Sequence, residues 1–221
     1  MKPSRVTRDW EGLTAVVIAS GPSMLAPEWE GRLRAAKAAG AKLLLSNGAY
    51  KSFPFADVLM CSDRHWLKDN PDLSGFRGEE IIITRPEAVR QQDARMIHIR
   101  RAFIERVRGD IFANPRTLVE GHTSTSTNIS LAVMRGVSRI VLVGLDLAPG
   151  PRMRRRLYDK TSDTEINAKR RYARQVEHLS MQAKYVKSLG IEVLNCSPPS
   201  ALKCYPYSKW ESLQWPNRSE S

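Results

Sequence analysis

Ser20-Gly21-Pro22-Ser23 sits directly behind the apolar run Ala15-Val-Val-Ile-Ala19 and ahead of a helical segment. In a strand–turn–helix setting, such a turn brings backbone N–H groups and hydroxyls close to an anion such as a phosphate. The same residues also make an ordinary turn. The turn matches neither a P-loop, since no Gly-Lys-Ser/Thr follows, nor the Gly-x-Gly-x-x-Gly dinucleotide fingerprint. Asn47 closes the run Leu43-Leu-Leu-Ser46, and its amide can donate to and accept from a base or sugar, or form a turn with Gly48. Asp63 and Asp146 each follow an apolar run, where a carboxylate can hold a ribose hydroxyl or Mg²⁺. Asp63 also stands where a helix cap would, before Arg64-His-Trp-Leu67. Ser124, Thr125, Ser126 and Thr127 belong to an unusual hydroxyl run that could wrap phosphate oxygens at the start of the next helix.

Proton transfer has few candidates. None of His65, His98, His122 and His178 forms a metal-type pair, so no metal site is expected. His122, beside the hydroxyl run, is the best placed for acid–base work. There is no Gly-x-Ser-x-Gly elbow, and Cys61 has no evident activating base, which argues against covalent nucleophilic catalysis. Cys61, Cys196 and Cys204 fit neither a disulfide framework nor a zinc site.

The elements that must position these residues follow from periodicity. Leu13–Ala19, Lys42–Leu45, Asp57–Cys61, Glu80–Ile83, Arg139–Val143 and Glu192–Leu194 read as short strands buried on both faces. Helices are expected over Pro27–Ala39, Thr127–Arg135 and Asp163–Leu189. In the last, Tyr172, Val176, Leu179, Ala183 and Val186 mark the core face, with Arg171, Arg174, His178 and Gln182 on or beside the polar face. The pattern predicts an α/β, Rossmann-like, mostly parallel sheet with helices on both faces, in a single domain. Residues 1–206 form the expected nucleotide-binding domain, and 207–221 a loosely ordered tail.

Of the 221 residues, 42% are hydrophobic and 26% charged, which is globular composition. No apolar run approaches the roughly 18 residues of a membrane span, and the N-terminal segment lacks a signal-peptide core, so a cytoplasmic protein is expected. The formal net charge of +12 fits a polyanionic nucleotide, a nucleic acid or a merely solvated cationic surface. Its dense stretches include Arg152, Arg154, Arg155 and Arg156, and further on Arg170 and Arg171.

Val17-Ile-Ala-Ser-Gly-Pro-Ser-Met-Leu25, Ser46-Asn-Gly-Ala-Tyr50 with Phe55-Ala-Asp57, Leu142-Val-Gly-Leu-Asp146 and Gly190–Leu202 occur in this order. Together they resemble the 6-hydroxymethylpterin diphosphokinase-like family (domain of unknown function 115), especially its short bacteriophage members. More remotely, they are similar to bacterial CMP-sugar-dependent sialyltransferases. The resemblance spans about residues 13–206. It implies a nucleotide in the crevice, with Gly21, Pro22 and Ser23 at the donor phosphates and Asn47 at the nucleotide or transferred group. It also implies a second phosphate-side loop at Ser124–Thr127 and a Gly-φ-Asp strand end at Asp146. A phage origin would place the protein in the host cytoplasm.

One departure stands out. The interval after Asp146, where relatives carry a histidine-bearing lid, reads Pro149-Gly-Pro-Arg-Met-Arg-Arg-Arg-Leu-Tyr-Asp159. Tyr158 or Asp159 then takes the proton-transfer role, the arginines act electrostatically, or activity is lost with binding retained. The leading expectation is a glycosyltransferase-like enzyme with a nucleotide-sugar donor and a sugar, pterin-like or DNA acceptor. The alternatives are an ATP-dependent pyrophosphokinase with Mg²⁺ on Asp63 and Asp146, and a nucleic-acid-binding protein using its basic surface. Mg²⁺ is expected only under the pyrophosphokinase reading.

Overall fold

Runs of valine, isoleucine and leucine four or five residues long are too short for helices, and an extended chain alternates their side chains between two faces. In the computed structural model, which describes residues 1–148, 165–198 and 200–215, both faces are covered. The strands are β1 (Thr14–Ile18), β2 (Lys42–Ser46), β3 (Val58–Cys61), β4 (Glu80–Ile83), β5 (Met96–His98), β6 (Arg100–Phe103), β7 (Thr117–Glu120), β8 (Arg139–Val143) and β9 (Glu192–Asn195). The helices are α1 (Trp29–Ala38), α2 (Arg64–Asp69), α3 (Ser124–Met134) and α4 (Glu165–Ser188). Seven strands form one sheet in the order β5-β4-β3-β2-β1-β8-β9, parallel throughout, and β6 and β7 form a separate parallel pair.

Alternation divides the core in two. Val17, Leu44, Met60, Ile82 and Leu142 face Ile129 and Leu131 of α3 and Leu179, Ala183 and Val186 of α4. Val16, Ile18, Leu43, Leu45 and Leu59 face Trp29 and Leu33 of α1 on the other side. From β1 the chain builds outward to β5, then returns to place β8 on β1's other side. The switch point therefore lies between β1 and β8, where open parallel sheets bind ligands outside the strands' carboxyl ends.

All six expected runs are strands, but β5, β6 and β7 escape the apolar pattern. Arg100 and Arg101 lie in β6, where an ion pair with Glu120 of β7 at 2.5 Å takes the place of apolar packing. The helix expected from Thr127 begins at Ser124, so the hydroxyl run is largely helical. His178 and Gln182, expected at the polar face of α4, are buried: Gln182 Nε2 donates to the Ser126 carbonyl at 2.9 Å, and His178 stacks on His122. In the expected tail, Trp210 packs edge-on against Trp29 of α1 at 5.4 Å. The start of the helix expected from Asp163 lies outside the described residues.

No described helix is long and apolar enough to cross a membrane. Burial raises the pKa of Cys61 and pushes that of Cys196 up to about 12, so both thiols stay protonated near neutral pH.

Candidate active site

The loops after β1 and β8 lock together at the switch point. Gly21 N–H donates to the Gly144 carbonyl at 2.8 Å. A Cβ on Gly21 would stand 2.3 Å from that oxygen and 2.7 Å from Asp146 Cγ, so only glycine fits. Ser23 donates its N–H to Asp146 Oδ2 and its hydroxyl to Oδ1. Burial raises the Asp146 pKa, and the two Ser23 hydrogen bonds oppose that rise. The loop after β8 is also held from beneath: Leu145 N–H donates to Ser197 Oγ at 2.8 Å, and Ser200 Oγ donates to the Leu145 carbonyl at 2.6 Å.

Three non-glycine residues adopt a left-handed backbone among the described residues: Asn47 (φ 49°), His122 (φ 56°) and Leu147 (φ 52°). All three line one cleft of about 220 Å³ at the strand ends, together with Ser20, Gly21, Asp63 and Asp146. Such conformations cost on the order of 1–3 kcal/mol each and persist only where surrounding structure enforces them, typically at binding and catalytic sites. Asn47 Oδ1 is buried without a hydrogen-bond partner. An unpaired buried acceptor is costly, and a ligand donor reaching it after a small side-chain shift would relieve that cost.

His122 is held from several sides in the cleft wall. Its ring lies between those of Phe103 and His178, with centroids 4.6 and 4.7 Å away. Its Nε2 is 3.0 Å from Glu105 Oε1 and 2.9 Å from Arg174 Nη2. Burial raises the Glu105 pKa, but the His122 hydrogen bond, a backbone hydrogen bond and the charges of both histidines outweigh it and leave a net lowering. With its proton on Nε2, the ring donates to Glu105 and keeps a lone pair on Nδ1. Glu105, His122 and His178 also form the one group among the described residues whose donors could converge on a metal, all within 4.8 Å. The Arg174 guanidinium, beside the same ring nitrogen and 4.0 Å from Glu105 Oε1, opposes a cation there, and the arrangement is better described as a charge network centred on Glu105.

The site residues expected from sequence divide into those brought together and those that are not. Ser20, Gly21, Asn47, Asp63, His122, Ser124, Thr125, Asp146 and Arg171 line the cleft. Pro22 and Ser23 do not; Pro22 opens a 3₁₀ turn and Ser23 supports Asp146 from behind. Ser126 and Thr127 turn inward with the helix and are fully buried, Ser126 Oγ accepting from Gly121 N–H at 2.5 Å. Arg170 is exposed on α4, away from the cleft lining. Arg152, Arg154, Arg155, Arg156, Tyr158 and Asp159 lie outside the described residues. Asp63 both lines the cleft and caps α2, its Oδ1 accepting from His65 N–H and Trp66 N–H at 2.9 and 3.1 Å.

Sequence reasoning missed Glu105 and the pairing of His122 with His178. No local motif announces either, because Glu105 sits in an arginine-rich stretch and His178 lies 56 positions beyond His122. The only sequence signal was the placement of Arg174 and His178 four residues apart on one helix.

No family model matches the chain, and no curated protein matches it. Similarity appears among solved structures. The MAf glycosyltransferase from Magnetospirillum magneticum AMB-1 superposes with a TM-score of 0.60 at 15% identity, covering 97% of this chain. The chain spans only 37% of that protein's length. The sialyltransferase CstII from Campylobacter jejuni in complex with the substrate analogue CMP-3FNeuAc gives a TM-score of 0.51 at 11% identity, covering 88% of this chain and 85% of that one. Its complex with cytidine-5'-monophosphate gives 0.51 at 12% identity, with 89% and 85% covered. The protein thus shares a Rossmann-type α/β fold with glycosyltransferases.

Proposed function

We propose that the protein is a glycosyltransferase-like enzyme that binds a nucleotide-sugar, with a pyrimidine nucleotide as the leaving group, in the cleft at the β1/β8 switch point. The observation that carries this reading is the convergence of the left-handed residues Asn47, His122 and Leu147 on that cleft. The fold shared with a sialyltransferase bound to CMP supports the donor class. Ser20 and the Ser124–Thr125 start of α3 offer hydroxyls and N–H groups to the donor phosphate, and Arg171 adds positive charge. Asn47 offers its amide to the base or sugar.

In the reaction, an acceptor hydroxyl oxygen forms a bond to the anomeric carbon. The bond from that carbon to the donor phosphate oxygen breaks, and the nucleotide departs with the electron pair. His122 Nδ1 takes the acceptor proton while Glu105 holds the Nε2 proton and the ring's orientation. Arg154–Arg156 with Tyr158 are proposed to act on the donor phosphates and stabilise the leaving group. Kinship with the 6-hydroxymethylpterin diphosphokinase-like proteins, including those of phages, is part of the same proposal. The pyrophosphokinase alternative needs Mg²⁺ on Asp63 and Asp146, but each carboxylate is already engaged by N–H or O–H donors, which favours glycosyl transfer.

The test is thermal denaturation with CMP, UDP, GDP, ADP, ATP and a CMP-sugar, each with Mg²⁺ or with EDTA. At 100 times Kd, a CMP-type ligand stabilises by about 2.7 kcal/mol and raises Tm by roughly 5–10 °C. The expected result is that shift with a pyrimidine nucleotide in EDTA. A shift confined to ATP with Mg²⁺ would replace this reading with the pyrophosphokinase.

A further inference from the structure

A second cleft of about 550 Å³ opens beside the first, and the two share Asp63, His122, Thr123 and Ser124. Its own walls come from the ends of β3, β4, β6 and β7 and carry Ser62, Arg64, Arg85, Arg101, Phe103 and Glu120. Its cations are unevenly matched. Arg101 is neutralised by Glu120 at 2.5 Å. Among the described residues, Arg85 meets only the exposed Glu87, at 3.7 Å, and its buried Nε finds no hydrogen-bond partner. Arg64 forms no ion pair with a described residue. Ser62 is buried, and its Oγ likewise lacks a partner. Asp63, in the same lining, already accepts two backbone N–H groups.

Buried N–H and O–H donors without acceptors are costly, and two of them line the same basic cleft. Both can donate hydrogen bonds beside under-neutralised guanidinium groups, so an anion with several acceptor oxygens would satisfy both. Phe103, stacked on His122 and approached by the Arg101 and Arg106 guanidinium groups, stands in the same wall. A carboxylate or phosphate on a sugar ring would satisfy the donors.

We infer that this second cleft is the acceptor subsite and that it selects an acceptor sugar bearing a carboxylate or phosphate. The inference rests on the transferase reading of the first cleft. Transfer requires the acceptor hydroxyl to reach the donor carbon from a space contiguous with the donor but not overlapping it. The second cleft meets that requirement, and His122, the proposed base, stands on the shared wall. Arg64 and Arg85 would anchor the anion, and Ser62 would fix its orientation.

The experiment is amide NMR titration of the full chain with glucuronate, glucose 6-phosphate and neutral glucose, with CMP titrated in a parallel sample. Glucuronate or glucose 6-phosphate, but not glucose, is expected to shift Ser62, Arg64, Arg85 and Arg101. Comparing the two acids distinguishes a carboxylate from a phosphate preference. Arg64→Ala and Arg85→Ala each weaken that binding at least fivefold, whereas Arg34→Ala, which removes an exposed cation on α1 paired with Glu30, leaves it within twofold. Equal shifts with glucose, no shifts with either acid while CMP binds, or equal loss in all three variants would overturn the inference. If the acids bind and CMP does not, the anion subsite stands and the donor reading fails.

Discussion

Ser23 donates both its backbone N–H and its hydroxyl to Asp146, at 2.8 and 2.5 Å, and so ties the turn after β1 to the turn after β8. Burial raises the Asp146 pKa in spite of these donors, so the native state holds the proton more tightly than the unfolded chain does. Asp146 therefore lowers stability progressively as pH rises from the ordinary carboxylate range through its raised native pKa. Asp146→Asn keeps an acceptor for the Ser23 amide but does not titrate. Urea denaturation of both proteins from about pH 4 to about pH 7 should show wild type losing ground to the Asn variant as pH rises. A wild-type advantage that grows with pH would mean that the Ser23 donors outweigh burial.

Gly21 and Gly31 make opposite predictions from the same substitution. A methyl at Gly21 meets the Gly144 carbonyl and the Asp146 carboxylate, whereas one at Gly31, within α1, meets nothing within 4 Å. Gly21→Ala should destabilise by about 3 kcal/mol, and Gly31→Ala should stabilise by roughly 0.5–1 kcal/mol. Chemical denaturation measures both, and equal effects would show that the turn after β1 relaxes freely.

Asn47 combines a left-handed backbone with an unsatisfied Oδ1. Replacing it with glycine preserves the backbone and removes the amide; replacing it with alanine removes both comforts. Calorimetric titration should show CMP affinity falling at least tenfold in each, a loss of about 1.4 kcal/mol. Thermal denaturation should show the alanine variant less stable than the glycine variant by about 1 kcal/mol. Unchanged CMP affinity in both would remove Asn47 from the site.

Most of the sheet was legible because β-branched and leucine runs have one economical use in a chain of this length, and the polar residues after the runs marked the strand ends where the cleft lies. Gly21, Asn47 and Asp146 follow from that logic. The hydroxyl run was half legible. Its residue types suited an anion, but helical rotation decides which hydroxyls face it, and α3 begins early enough to turn Ser126 and Thr127 into the core. The Glu105–His122–Arg174 network was not legible, because it is assembled by the turn after β6, α3's leading loop and α4, elements distant in sequence whose contact only the tertiary fold creates.

That network yields a kinetic prediction. Glu105 touches the ring nitrogen of His122 and does not itself line the cleft, so it acts through the histidine as a positioning residue. Glu105→Gln keeps the size of the side chain but loses the charge that supports a protonated imidazole. It should leave CMP affinity within twofold and lower kcat about tenfold, while His122→Ala lowers kcat by about 10²–10⁴-fold. The two changes act on one unit, so the double variant should be no slower than His122→Ala alone. Steady-state kinetics with a CMP-sugar donor measures all three. Additive losses would mean that Glu105 works independently of His122, and a loss confined to KM would make the network a binding element.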